Sequence, residues 1–227
     1  MGRSAPSLLV RGLGLLAVLF FANRAESMTI QELVDELKKM DAGEVGLISS
    51  FPATIKESAP DFLCGASFLE VTVRHPNHPH FLKFVRQPGK GLYRLALGEA
   101  EVERMREGLK LTMKDADTAL RFAQWRLAQT EGVAFWLVSS VEQVPFLPVT
   151  KDDPESAARI EKAKAELAPK IVAPSVRALQ EEFVVSQTAV VGRDLVRYEA
   201  RVGRDGAWSS TMLRLATDIP VVYVVGK

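Results

Sequence analysis

The sequence predicts an α+β fold in which antiparallel sheets, built from hairpin-rich segments, carry three main helices. Three observations support that prediction. Met113, Ala116, Leu120, Ala123 and Leu127 recur at spacings of three and four, which is the stripe of one helical face. Residues 183–191, 195–202 and 207–215 are strand-like runs separated by Gly192-Arg193-Asp194 and Gly203-Arg204-Asp205-Gly206, both good hairpin turns. Residues 133–138 (VAFWLV) are continuously apolar, which reads as a strand covered on both faces at the centre of a sheet.

The other elements follow in chain order. In residues 29–40, Ile30, Leu33, Val34 and Leu37 fall on one helical face, and Thr29 with Glu32 makes a capping box. Residues 44–62 hold Pro52 and Pro60 and read as turns around short apolar pieces. Residues 68–74, 81–86 and 92–97 read as strands, the last two joined by Gln87-Pro88-Gly89-Lys90-Gly91. A short helix is expected over 99–108. Residues 114–129 form a second main helix, with Thr112 and Asp115 as a box-like start. After an irregular link over 144–154, Asp153-Pro154 places a cap and a first-turn proline at the start of a third helix, running to Leu167. That helix is mostly charged or alanine and reads as a solvated surface helix. Residues 171–179 are a candidate further strand.

The expected organisation is therefore a leader over 1–27, an α+β region over 28–145, and a helix followed by an antiparallel meander over 146–227. The second and third regions are also compatible with one continuous domain. The segment from Phe81 to Tyr93 resembles that from Leu195 to Trp208: an alternating strand, a glycine-flanked basic turn and a returning aromatic. Ordinary hairpins share that pattern, which makes it weak support for a duplication.

Hydrophobic residues make up 47% and charged residues 25% of 227 residues, the profile of a folded globular chain. Three of the 29 basic residues and one of the 28 acidic residues lie in the leader, leaving a balance of −1. Charges of both signs are interspersed, so nothing attracts nucleic acid. A single cysteine, Cys64, excludes an internal disulfide. Its flanks, Leu63 and Gly65, favour a small buried hydrophobe over a reactive thiol.

The leader has the order of an export signal: Arg3 and Arg11, the apolar run 12–22, then Ala25 and Ser27 before a cut at Met28. Eleven apolar residues are too few for a membrane-spanning helix, which takes about 20. The competing reading makes Met28 the true start, with the upstream residues a mis-extended frame and the protein cytoplasmic. The sequence favours export to a periplasmic or extracellular compartment.

All three histidines fall within His75-Pro76-Asn77-His78-Pro79-His80. Imidazole is the commonest metal-binding side chain near neutral pH, so His75, His78 and His80 are candidate ligands for zinc, copper or nickel, with Cys64 and Glu70 as further donors. Two prolines in a turn between strands favour the plainer alternative, a stiff and solvated loop. Nucleophile elbows, phosphate-binding glycine loops and H-E-x-x-H are absent. The pairs Asp115/Asp117, Asp152/Asp153 and Glu181/Glu182 read as helix starts and turn charges, and Trp125, Trp136 and Trp208 as core anchors. Function accordingly divides two ways. The first is a non-catalytic exported module without a cofactor, binding an envelope protein or small ligand. The second is a metal-binding protein or metal-dependent enzyme built on the histidine loop.

Export has a direct consequence. Amino-terminal sequencing of natively produced protein from an extracytoplasmic fraction is expected to begin at Met28, and recovery from the cytoplasm alone would contradict it.

Overall fold

The computed structural model describes residues 27–40, 42–95, 99–130, 134–149 and 153–222. The expected leader, apart from Ser27, lies outside the described residues, as do Ala96, Leu97 and Val133 at the ends of expected strands. Among the described residues the architecture is α+β, with two antiparallel sheets and five α-helices.

Helix α1 (Ile30–Lys39) starts at the expected box: the Thr29 hydroxyl accepts from the Glu32 amide at 3.2 Å, and the Glu32 carboxylate accepts from the Thr29 amide at 2.7 Å. Residues 44–62, read from sequence as turns, contain helix α2 (Glu44–Ser50) and strand β1 (Ala53–Ser58). Two helical turns are too short to display a period. Strand β1 buries only one side, through Ala53 and Ile55, so its alternation is faint. The first sheet is completed by β2 (Ser67–Val73), β3 (His80–Gln87) and β4 (Gly91–Arg94), in the order β1-β2-β3-β4. Helices α1 and α2 cover one of its faces, where Leu33, Leu37 and Ile48 meet Leu69, Val71, Val73 and Phe84. Glu44, buried in the first turn of α2, is ion-paired with Arg94 of β4 and ties that helix to the far edge of the sheet.

Helices α3 (Glu99–Leu109) and α4 (Ala116–Thr130) follow. The start of α4 corrects the expected Thr112–Asp115 box. Asp115 alone is the cap, its carboxylate accepting from the Thr118 amide at 2.7 Å, while the Thr112 hydroxyl donates to the Lys110 carbonyl. That amide bond holds the Asp115 carboxyl below the usual carboxylate range.

The second sheet comprises β5 (Phe135–Val138), β6 (Ser175–Ala178), β7 (Glu182–Val191), β8 (Asp194–Gly203) and β9 (Trp208–Ala216). Its order is β5-β7-β8-β9, with β6 also paired to β7. Strand β5 is therefore an edge strand and not the centre of the sheet. It shares one edge of β7 with β6, end to end: β6 pairs residues 183–186 of β7 and β5 pairs 188–191. The apolar run is nonetheless explained, because Phe135 and Leu137 pack into one core and Trp136 and Val138 into another. Helix α5 (Pro154–Leu167) is capped by Asp153, which accepts from the Ser156 amide at 2.9 Å, and it buries Ile160 and Leu167. The β7–β8 turn needs only Gly192 and Arg193, with Gly192 at φ 59°, a conformation that costs glycine least.

One apolar core joins the two sheets. Phe68 and Val85 enter it from the first sheet, Phe183, Val185, Ala200 and Val202 from the second, and Met105, Phe122 and Ala123 from the helices between. Phe122 lies edge-on to Phe62 at 5.6 Å and to Trp208 at 6.3 Å. Trp125 and Trp208 flank this core, and Trp136 packs against a separate one with Val138, Val190 and Leu195. Among the described residues no helix is long and apolar enough to cross a membrane.

Because Phe122 contacts aromatics on both sides, Phe122→Ala opens a cavity that neither sheet can close alone. The expected cost is about 3–5 kcal/mol, read by chemical denaturation as a lower midpoint.

Candidate metal centre

The histidine loop is placed by the pairing of β2 with β3. Their ladder runs from Ser67↔Arg86 to Val73↔His80, so residues 74–79 form the connection and His80 opens the returning strand. Prolines 76 and 79 bring no amide donor to the turn. Its other amides are partly used within reach: Arg74 donates to the Pro52 carbonyl at 2.9 Å, His75 to the Val73 carbonyl at 3.1 Å, and the Asn77 amide to Nδ1 of His75 at 3.3 Å.

The three imidazoles converge. One ligand atom from each of His75, His78 and His80 lies within 4.8 Å of the other two. Ring centroids are 5.8 Å apart for His75 and His78, 5.5 Å for His75 and His80, and 4.5 Å for His78 and His80. His78 is exposed, while His75 and His80 are half-buried. Phe51, between α2 and β1, meets the His75 ring edge-on at 4.5 Å and walls one side. His80 is held below the ordinary imidazole range, first by desolvation and then by the neighbouring His78 and His75. Its lone pair is therefore available at lower pH than that of a solvated imidazole.

The two further donors considered from sequence do not join the group. Glu70 points to the opposite face of β2 from Val73 and forms an ion pair with Lys56 at 3.2 Å. Cys64 precedes β2 whereas His75 follows it, and a seven-residue strand separates them by about 20 Å. Nor is Cys64 the buried hydrophobe expected. It is exposed, at φ 53°, with its sulfur near the carbonyls of Phe62 and Lys110. The left-handed turn that directs Phe62, Leu63 and Ala66 inward leaves its side chain outside.

Three nitrogens around a tetrahedral ion, each at about 2.0–2.1 Å, stand about 3.4 Å apart. The imidazoles thus need to close by at most about 1.4 Å, a small change that the exposed His78 on the turn can supply by rotamer adjustment toward the half-buried His75 and His80. His75 must also exchange its Asn77 bond for the ion at Nδ1, or turn to offer Nε2. A three-histidine set leaves a fourth position for water or another ligand. Sequence reasoning found all three histidines and missed Phe51, which lies 24 residues before His75 and carries no local signal of that contact.

A second concave feature, of about 660 Å³, lies between α5 and residues 216–221. Arg159, Lys162, Lys170 and Arg193 line it against Glu166 and Asp218, over an apolar floor that includes Ile219 and Val221.

The exposure of Cys64 is checked by thiol titration. Native protein is expected to react with a disulfide reagent at one thiol per chain without denaturant, and reaction only after unfolding would return the residue to the core. No protein-family model matches the chain, and no curated protein or solved structure matches it significantly.

Proposed function

We propose that this chain is a non-catalytic, exported binding module whose ligand is a divalent first-row transition metal ion, held by His75, His78 and His80. The single observation that carries the reading is the convergence of three imidazole nitrogens within 4.8 Å on one stiffened turn. The β2–β3 register and the short connection bring these rings together without an ion, so the donor set is largely pre-formed. Nitrogen donors suit copper, nickel and zinc better than magnesium or calcium. The openness of the site, with His78 exposed, favours capture and release of an ion over enclosure of a substrate.

A second reading rests on the cleft beside α5. Its four cations and two carboxylates leave a positive rim over apolar residues, which suits a small amphipathic anion.

Metal binding requires neutral imidazoles, so protons compete with the ion and affinity falls on acidification, with the lowered His80 yielding its lone pair at more acid pH than a solvated imidazole. Ligand binding stabilises the fold by about 2.7 kcal/mol at 100 times Kd. A thermal scan at pH 7.5 with Zn²⁺, Cu²⁺ or Ni²⁺ is expected to raise the melting temperature of the wild type but not of His78→Ala, and the rise should shrink at pH 5.5. No metal-dependent shift in the wild type would refute the metal reading. A shift with decanoate in the same scan would favour the cleft.

A further inference from the structure

The four outer edges of the two sheets are not equally protected. Unpaired strand edges recruit other strands, and proteins blunt them with charge, proline, short length or cover. Strand β1 carries Lys56 and Glu57 near its middle. Strand β4 has four residues and ends in Arg94. The β7 side of the second sheet ends in β5 and β6, each four residues long. Strand β9 is the least protected of the four, with a single charge, Arg214, and a bulge, both near its C-terminal end. It is nine residues long, holds no proline, lysine or acid, and is uncharged from Trp208 to Leu213. Among the described residues β8 is its one strand neighbour. Residues 209–214 are exposed throughout, with Met212 at 51% and Leu213 at 61%. Helix α4 lies over β6, β7 and β8 and reaches β9 through Trp208, so it does not project across the free edge.

We propose that β9 pairs antiparallel with β9 of a second copy of this chain, joining two five-stranded sheets across a two-fold axis. The geometry limits the register. A two-fold axis perpendicular to the sheet keeps each side chain on its own face, so residues directly opposite must be an even number apart and the axis passes through a residue. With the axis at Thr211, Ser210 faces Met212, Ser209 faces Leu213 and Trp208 faces Arg214. With the axis at Met212, Thr211 faces Leu213 and Ser210 faces Arg214. Like charges meet only when the axis passes through Arg214 itself, and Arg214 is already paired with Asp194 at 2.8 Å. An edge uncharged from Trp208 to Leu213, on which the lone Arg214 meets a neutral residue in both of these registers, repels no copy of itself and suits a self-partner better than a charged foreign strand. Met212, beside Tyr198 on the α4 face, and Leu213, beside Arg197 on the other, lose their exposure together on pairing.

The test is the solution mass of the purified protein with EDTA present, which removes any dimer bridged by metal through the histidines. Light scattering is expected to give twice the chain mass at about 100 μM, where a micromolar interface is populated. Met212→Lys and Leu213→Lys should each shift it to one chain mass with an unchanged far-ultraviolet circular dichroism spectrum. Hydrogen exchange provides a measurement that needs no variant: amides within 209–213 should be protected at high concentration and lose protection on dilution. A wild-type monomer at about 100 μM, a dimer that survives both substitutions, or exchange independent of concentration would each overturn the proposal. The first of these would leave the edge to an extended segment of another protein.

Discussion

The rest of the structure depends on the burial of α4 between the two sheets. Each sheet has one face covered by its own neighbours, α1 and α2 for the first, α5 with residues 141–146 and 219–221 for the second. The opposite faces hold Phe68 and Val85 in one case and Phe183, Val185, Ala200 and Val202 in the other. None of those six side chains has a partner within its own sheet's private core. Phe122, Ala119 and Ala123, with Met105 of α3, fill the space between them. Each large side chain buried there contributes roughly 1.5–3 kcal/mol, and no part of that is available to either sheet alone. Polar contacts fix the orientation: the Met113 amide donates to the Arg204 carbonyl in the β8–β9 turn at 2.7 Å, and Arg106 pairs with Asp205 of that turn at 2.8 Å.

The shared core also determines where the histidines emerge. Strand β2 is buried on both faces, Phe68 toward α4 and Leu69, Val71 and Val73 toward α1 and α2. A one-residue slip would exchange those faces, so the register with β3 is strongly held. That register places His80 opposite Val73, where desolvation and the neighbouring His78 and His75 disfavour its protonation. The loop between is short enough that His75 and His78 have nowhere distant to go. Convergence of the imidazoles is therefore a consequence of β-sheet register, although the six-residue histidine motif suggests it only weakly.

The likeness between the Phe81–Tyr93 and Leu195–Trp208 segments proves to be that of two hairpins, β3–β4 and β8–β9. Their surroundings differ. The first belongs to a simple four-stranded meander, whereas the second belongs to a sheet in which two short strands share one edge and in which β9 carries a bulge opposite Leu195 and Val196. The bulge frees the Leu215 carbonyl to accept from Lys170 at 3.2 Å, and leaves the preceding residues of β9 as a long open edge.

Local chemistry made much of the fold legible. The caps at Thr29 and Asp153, the glycine turns of the last third and the periodicity of α4 each act within a few residues, so the sequence alone determined α1, α4, α5 and the β7–β9 meander. It also determined that three imidazoles lie close along the chain. What it left open was set by contacts distant in sequence. The apolar run at 135–138 reports two covered faces but not the number of strand neighbours, and only the pairing along β7 made β5 an edge. Flanking residues suggested a buried Cys64, and a left-handed turn fixed by inward-facing Phe62 and Leu63 turned it outward. Glu70 has a ligand's chemistry, but strand alternation put it on the wrong face. Tertiary structure decided these points because each depends on which face of an element another element covers, and that is a property of the assembled sheets and not of any short stretch of chain.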